Sequence, residues 1–135
     1  MANEASELTV GAVTRHFARI APGKRALYDG ERSLTYGQLD DQAHIVASAM
    51  VRAGVRHGDV VCAYLPNSID YVVVVLAAAR SGAIFSPINP RYKGFEVGAI
   101  LRQARPRVLF TTLSQVANVR KMASELGQPQ LRVVT

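Results

Sequence analysis

Two cations in one short segment have the residue types and spacing best suited to chemistry. Arg91 and Lys93 lie in the stretch AIFSPINPRYKGFEVG, residues 83–98, between an apolar run and the start of a predicted helix. Pro87 and Pro90 lack a backbone N–H and have a fixed φ, so the stretch is expected to be a shaped turn rather than a central strand or a helix interior. The two cations either meet an anion or belong to a solvated connector, and the residues alone leave both interpretations open.

The histidines and the cysteine give weaker indications of chemistry. His44 follows Asp40 by four residues, so it could pair with Asp40 or bind a metal, but ordinary surface electrostatics is the favoured interpretation. His16 and His57 have no Cys or carboxylate at metal-ligand spacing. The single cysteine, Cys62, lies in the apolar run DVVCAYL and is predicted to be a small buried hydrophobe. No catalytic residue and no metal site is therefore assigned in this chain.

Glycine motifs that bind phosphate are also missing from the sequence. Neither G-x-G-x-x-G nor G-x-x-x-x-G-K-[ST] occurs. Gly94 and Gly98 have G-x-x-x-G spacing, which on a soluble amphipathic helix favours close packing over chemistry. By its residues alone, the sequence shows no complete active site.

The elements that must position these residues follow from hydrophobic spacing. A short helix from Thr9 to Ile20 is predicted first, and then a hairpin that turns at Asp29-Gly30. Thr35 and Gln38 form a T-x-x-Q capping box at the start of the next helix. The rest of the chain alternates between strands and helices, with strands at DVVCAYL, AIFSPI, RVLFTT and LRVV and helices that end at Gly82, Pro106 and Gly127. Such alternation implies parallel strands joined by right-handed crossovers.

The segment after DVVCAYL is ambiguous by composition. Its four consecutive valines, 72–75, favour a strand by propensity. Its length, a cap at Asn67 or Ser68 and the glycine at its end favour a buried helix, which is the prediction.

Together these elements predict an α/β fold, a layered and mostly parallel sheet with helices on both faces, preceded by a short helix and a β-hairpin. Residues 1–135 are expected to form a single α/β subdomain, with the N-terminal helix and hairpin in 1–34 and the alternating unit in 35–135. The last predicted strand needs cover on both faces. We therefore expect the remainder of a larger protein, or self-association, to cover exposed apolar surface.

Length, composition and charge limit the classes of function. With 135 residues, of which 49% are hydrophobic, the chain can bury a real core. Its longest apolar run, Tyr71 to Ala79, is too short to span a membrane, and its first ten residues lack the pattern of a secretory signal peptide, so a cytoplasmic protein is expected. The net charge of +6 suggests nucleic acid as a partner, but the cations are spread along the chain and no nucleic-acid binding is predicted.

Three motifs occur in a family-like order and spacing, namely LTYGQL at 34–39, GDVV and LPNS within 58–68, and the run from Ala79 through Gly82-Ala83 to PINP at 87–90. With them the chain resembles the N-terminal portion of the adenylate-forming (AMP-binding) superfamily, which includes acyl- and aryl-CoA ligases, luciferases and peptide-synthetase adenylation domains. The resemblance extends from about Thr9 to the end. The form Ile88-Asn89-Pro90-Arg91 looks more like the acyl- and aryl-CoA ligases (acyl-CoA synthetases) than like peptide-synthetase domains.

The resemblance implies a two-step reaction in which a small carboxylic acid and ATP form an acyl-adenylate and the thiol of CoA then displaces AMP. ATP, Mg²⁺ and CoA are implied for the full-length enzyme. The family's phosphate-binding loop, its adenine motif and its C-terminal lysine have no counterpart in these 135 residues. The chain is thus expected to be a fragment truncated before the phosphate-binding loop, to bind none of these molecules tightly and to be inactive alone.

By the same resemblance, Arg91 occupies the place of an arginine near the entry path of CoA and is a candidate contact for the phosphate of its nucleotide. Lys93 is a weaker candidate. The motif residues assigned to structure are Thr35, Tyr36, Gly82 and Pro87. The alternatives to a ligase fragment are a stand-alone α/β interaction or regulatory module and a basic nucleic-acid-binding domain.

Overall fold

Helices and strands alternate along the chain in the predicted order. The computed structural model describes residues 9–135. Their elements are α1 (Val10–Ile20), β1 (Arg25–Tyr28), β2 (Ser33–Thr35), α2 (Tyr36–Arg52), β3 (Val60–Tyr64), α3 (Ile69–Arg80), β4 (Ile84–Pro87), α4 (Gly94–Ala104), β5 (Val108–Thr111), a 3₁₀ turn (Leu113–Gln115), α5 (Val116–Glu125) and β6 (Arg132–Val134).

The last four strands form one parallel sheet in the order β4-β3-β5-β6. Val61 of β3 lies opposite Phe85 of β4 on one side and Val108 of β5 on the other. The first two strands pair separately as an antiparallel hairpin. The α/β class, the parallel sheet and the preceding helix and hairpin are thereby confirmed. Pro87 ends β4, an edge strand, which is where sheets tolerate proline.

Helices cover the two faces of this sheet with different partners. Successive residues of β3 point to opposite faces because the side chains of a strand alternate. Val61 and Ala63 pack in a core cluster with residues of α2 and α3. Cys62 and Tyr64 pack in a second cluster with residues of α4 and α5. Burial on both faces explains why DVVCAYL is a nearly continuous apolar run.

Polar caps start the two helices of the first face. Thr35 Oγ1 accepts a hydrogen bond from the Gln38 N–H at 3.2 Å, and Gln38 Oε1 accepts one from the Thr35 N–H at 2.9 Å, so the capping box is confirmed. Ser68, rather than Asn67, caps α3 by accepting from the Tyr71 N–H at 3.2 Å. The four valines 72–75 are helical, because burial of this helix in the core overrides their preference for strands.

The apolar residues at helical spacing on α1 form a stripe that is exposed rather than packed in the core, namely Val10, Val13, Phe17 and Ile20. Val10 is 62% exposed and Ile20 is 63% exposed. The helix instead packs through its small residue Gly11, which is buried. Phe17 of the stripe stacks on Tyr36 with ring centroids 5.1 Å apart. Within residues 9–135, no helix is long and apolar enough to cross a membrane.

Candidate functional site

The carboxyl ends of the parallel strands meet at one edge of the sheet. The crossover after β3 runs through α3 on the first face, and the crossover after its neighbour β5 runs through α5 on the second face. The direction of the winding therefore reverses between β3 and β5. Open α/β sheets bind ligands at such a reversal, just beyond the carboxyl ends of the strands. Tyr64 and Thr111 are the last residues of these two strands.

The segment that carries Arg91 is a hydrogen-bonded turn beside this edge. Asn89 begins it, and its carbonyl oxygen accepts from the Tyr92 N–H at 3.0 Å. The Asn89 side-chain oxygen accepts from the Arg91 N–H, also at 3.0 Å. Pro90 occupies the second position, where its fixed φ suits a β-turn. The prediction of a shaped turn at this segment is confirmed.

The turn is tied to the sheet by both backbone and side chain. The Ile88 N–H donates to the carbonyl oxygen of Ala63 at 2.9 Å. The Tyr64 hydroxyl donates to the carbonyl oxygen of Tyr92 at 2.6 Å. The turn therefore has a defined position relative to the end of β3.

Arg91 and Lys93 lie in different surroundings at this turn. Arg91 is exposed, and within the part of the chain that the structure describes its guanidinium forms no ion pair. Lys93 precedes α4, and its N–H donates to the carboxylate of Glu96 at 3.0 Å. Lys93 also lines a groove between α4 and α5. The two predicted residues are thus close in sequence, and Lys93 lines a concave surface.

This groove, which we call the α4–α5 groove, has a volume of about 480 Å³. Its polar lining includes Tyr64, Lys93, Gln115, Asn118, Lys121 and Glu125. Lys121 Nζ lies 4.0 Å from the carboxylate of Glu125. With two lysines and one glutamate among its lining residues, the groove favours an anionic ligand over a cationic one.

Gly94 and Gly98 of α4 face Met122 of α5 beside this groove. A Cβ at Gly98 would lie 3.6 Å from the sulfur of Met122, and one at Gly94 would lie 4.0 Å from its methyl group. Both distances are ordinary van der Waals contacts, so the expectation that the G-x-x-x-G spacing serves close packing stays a prediction.

A second, apolar groove lies on the opposite face of the sheet. At the carboxyl ends of β3 and β5 it has a volume of about 600 Å³ and is lined by Leu65, Val73, Val74 and Phe110 among others. A neighbouring hollow of about 560 Å³ continues along α2 towards β6. Ile45 borders both hollows and is largely exposed. On this side α2 and α3 leave apolar surface of β5 and β6 uncovered.

The alternative pairing of Asp40 with His44 is not formed. The carboxylate of Asp40 instead binds the guanidinium of Arg80, which also donates to the Asp40 carbonyl oxygen at 3.0 Å. Within residues 9–135, no three His, Cys, Asp or Glu side chains are grouped to hold a metal ion. Cys62 is fully buried, as predicted, and burial raises the pKa of its thiol to about 11.

Of the polar residues that line the α4–α5 groove, the sequence indicated only Lys93. Lys121 is one of the cations spread along the chain, and its sequence neighbourhood holds no signal that would relate it to Lys93. Tyr64 carries a weak signal, because a tyrosine that ends a buried strand needs a hydrogen-bond partner for its hydroxyl.

Comparisons with known proteins agree with this architecture. The sequence profile of the family described as AMP-binding enzyme matches residues 14–135. The chain is 36% identical over 121 residues to 4-coumarate–CoA ligase 3 of Oryza sativa subsp. japonica, covering 87% of this chain and 22% of that protein. It is 37% identical over 93 residues to nonribosomal peptide synthetase 9 of Gibberella zeae, covering 69% of this chain and 11% of that protein.

A solved structure shows the same fold over almost the whole chain. The anthranilate CoA ligase AuaEII in complex with anthranoyl-AMP superposes with a TM-score of 0.85 at 26% identity, covering 96% of this chain and 26% of that one. The chain thus spans about a quarter or less of the length of each of these relatives.

Proposed function

Because the chain belongs to the family of AMP-binding enzymes, we propose that it forms the N-terminal part of an ATP-dependent acyl- or aryl-CoA ligase. The observation that carries the proposal is the family match over residues 14–135. In the first step, a carboxylate oxygen of the acid attacks the α-phosphate of ATP and pyrophosphate leaves. In the second, the thiol of CoA attacks the acyl carbon and AMP leaves. Mg²⁺ would offset the charge of the phosphates.

Two features of the chain support the CoA-ligase branch of the family. One is the turn Asn89-Pro90-Arg91, whose form looks like that of acyl- and aryl-CoA ligases. The other is the similarity to 4-coumarate–CoA ligase 3 over 87% of the chain. An adenylation domain of a peptide synthetase is the second candidate, favoured by the similar identity to nonribosomal peptide synthetase 9.

We assign the candidate CoA contact to Arg91, with Lys93 as the weaker candidate. An exposed guanidinium on a hydrogen-bonded turn can donate two parallel hydrogen bonds to a phosphate, and a rigid turn reduces the entropy lost on binding. Lys93 supplies a second positive charge from the wall of the α4–α5 groove.

The remaining catalytic parts are proposed to lie outside these residues. The sequence has no Gly-rich phosphate-binding motif, so binding of ATP and Mg²⁺ is assigned to later parts of a longer enzyme. Those parts would also cover the apolar groove beside α2. The 135-residue chain is accordingly proposed to be inactive alone, and the whole enzyme to be cytoplasmic and to act on a small carboxylic acid.

The test uses the complete reading frame that contains this sequence, beside the 135-residue chain. ATP–pyrophosphate exchange is measured with a panel of aryl and acyl carboxylic acids, followed by thioester formation with CoA. We expect exchange and thioester from the longer protein and background from the chain. Exchange by the chain alone would contradict its proposed inactivity. Adenylate formation followed by loading of a carrier-protein thiol, with no use of free CoA, would favour the peptide-synthetase alternative.

A further inference from the structure

We infer that Tyr64 is a positioning residue for the proposed CoA contact, because its hydroxyl holds the turn that carries Arg91 and Lys93. The geometric basis of the inference is the hydrogen bond between Tyr64 and Tyr92. Its connection to CoA rests on the proposed function. Tyr64 itself is not proposed to touch CoA.

The ring of Tyr64 has a fixed place in the core. It ends β3, is 7% exposed and belongs to the same core cluster as Ile88 and Val97. Its own carbonyl oxygen accepts from the hydroxyl of Thr111, a buried residue of β5, at 3.2 Å. The ring and the backbone carbonyl of Tyr64 are therefore both held. Its hydroxyl is a donor with a defined position at the carboxyl end of β3, where the winding of the sheet reverses.

That donor binds the carbonyl oxygen of Tyr92, the last residue of the turn that begins at Asn89. The distance of 2.6 Å from the Tyr64 hydroxyl to the Tyr92 carbonyl oxygen is at the short end for such a bond. The bond links residues 28 positions apart in sequence, and it is partly shielded from water. Tyr92 lies between Arg91 and Lys93, so fixing its carbonyl fixes the backbone from which both cations extend.

The other restraints on this segment lie on either side of Tyr92. Ile88 is bound to Ala63 before the turn, and Lys93 is bound to Glu96 at the start of α4. Contacts to Asn89 hold the turn to itself and not to the sheet. Among the described contacts, the Tyr64 hydroxyl is the side-chain group that fixes the turn to the parallel sheet. A phosphate contact depends on such support, since small displacements of a binding group weaken it strongly.

The first experiment needs no ligand. In the 135-residue chain, Tyr64→Phe removes only the hydroxyl, and hydrogen exchange of the backbone amides of residues 92–94 is compared with that of wild type by NMR. We expect exchange about tenfold faster in the variant, the effect of one lost hydrogen bond. Tyr71→Phe is the matched control, because the Tyr71 ring packs edge-on against Phe85 and no hydrogen bond of its hydroxyl occurs among the described residues. Unchanged exchange in Tyr64→Phe would overturn the inference.

The second experiment tests whether the hydrogen bond between Tyr64 and Tyr92 supports phosphate binding. The labelled chain is titrated with adenosine 3′,5′-bisphosphate as a probe for the nucleotide end of CoA. We expect weak binding that shifts the amides of residues 91–94, and a Kd raised about fivefold to tenfold by Tyr64→Phe and by Lys93→Ala but not by Tyr71→Phe.

The outcomes separate this inference from the proposed function. A Kd raised by Lys93→Ala but not by Tyr64→Phe overturns the positioning role and leaves the phosphate contact standing. If the amides of residues 91–94 in the wild-type chain do not shift on addition of the probe, the CoA contact is contradicted. The positioning role of Tyr64 for CoA is then contradicted as well. In that case faster exchange in Tyr64→Phe still identifies the hydroxyl as the group that orders the turn.

Discussion

The guanidinium of Arg80, the last residue of α3, binds the carboxylate of Asp40 near the start of α2. The same guanidinium donates to the carbonyl oxygen of Gly11 at 3.1 Å and to the Thr14 hydroxyl at 2.8 Å. One side chain, only 6% exposed, therefore joins the first three helices. Gly11 permits this approach, because a Cβ there would lie 3.2 Å from Cγ of Arg80.

Arg80→Ala should lower the free energy of unfolding by about 3 kcal/mol, because it leaves the Asp40 carboxylate without its partner. Arg80→Lys should recover little of the loss, since an ammonium cannot reproduce the fork of a guanidinium. Urea denaturation measures both. The control is Lys121→Ala, which breaks an exposed pair and should change stability by less than about 0.5 kcal/mol. An Arg80→Ala chain as stable as the control would contradict the assignment.

Gly82 should be the least replaceable of the glycines that follow helices. Its φ is +71°, and a Cβ would lie 2.7 Å from His57 Nδ1. Gly82→Ala should therefore cost about 1–2 kcal/mol for the backbone conformation and more for the clash. Gly58→Ala isolates the first part, because Gly58 has φ of +85° with no atom within 4 Å of its Cβ position. Equal losses at both positions, measured by urea denaturation, would show that the clash relaxes freely. His57→Ala should partly rescue Gly82→Ala alone.

Much of the fold could be predicted from the sequence because its signals are local. The Thr35–Gln38 capping box and the strand DVVCAYL each depend on neighbours within a few residues. The turn at Asp29-Gly30 is also predicted by its residue types, but the two residues form it in different ways. Gly30 has a positive φ and Asp29 does not, so Asp29 acts through its carboxylate.

The contacts that the sequence did not reveal join distant residues. Arg80 meets Gly11 across 69 positions and Asp40 across 40. The Tyr64 hydroxyl meets the Tyr92 carbonyl across 28. Each contact depends on strand order and helix placement, which no local pattern contains. The exposed stripe of α1 is a similar case, because hydrophobic spacing predicts a helix but not the face by which it packs.

Asp29 should make stability depend on acid pH. Its carboxylate accepts from the N–H groups of Arg32 at 2.8 Å, Glu31 at 3.2 Å and Ile69 at 3.3 Å. The bond from the Arg32 backbone, followed by that from Glu31, lowers the pKa of Asp29 from its ordinary 3.8. The folded chain thus prefers the carboxylate. This contribution to stability is present above pH 3.8 and is lost as the pH falls through the lower pKa of the folded state.

Asp29→Asn tests this dependence, because it keeps an oxygen acceptor and removes the charge. The variant should be less stable than wild type at neutral pH, and the difference should shrink as the pH falls below the ordinary pKa of 3.8. Urea midpoints across that range measure it. A difference that is constant with pH would assign no role to the charge of Asp29.

Cys62 should be unreactive in the folded chain. It is fully buried, and burial raises the pKa of its thiol from 9.0 to about 11, so little reactive thiolate is present near neutral pH. It is the single cysteine, so labelling by an aromatic disulfide reagent reports on this residue alone. We expect stoichiometric labelling in denaturant and slow labelling without it, at a rate set by opening of the sheet. Rapid labelling of the native chain would contradict the burial of β3.

Arg91→Ala should separate the two half-reactions of the complete enzyme. If Arg91 donates to a phosphate of CoA, its loss should raise the KM for CoA about tenfold and leave ATP–pyrophosphate exchange unchanged, since CoA is absent from the first step. Arg91→Lys should lie between wild type and Arg91→Ala, because it keeps the charge and loses the fork. Arg102→Ala removes an exposed arginine from the last turn of α4 and controls for net charge. Equal losses in both half-reactions would instead assign Arg91 to the structure of the turn.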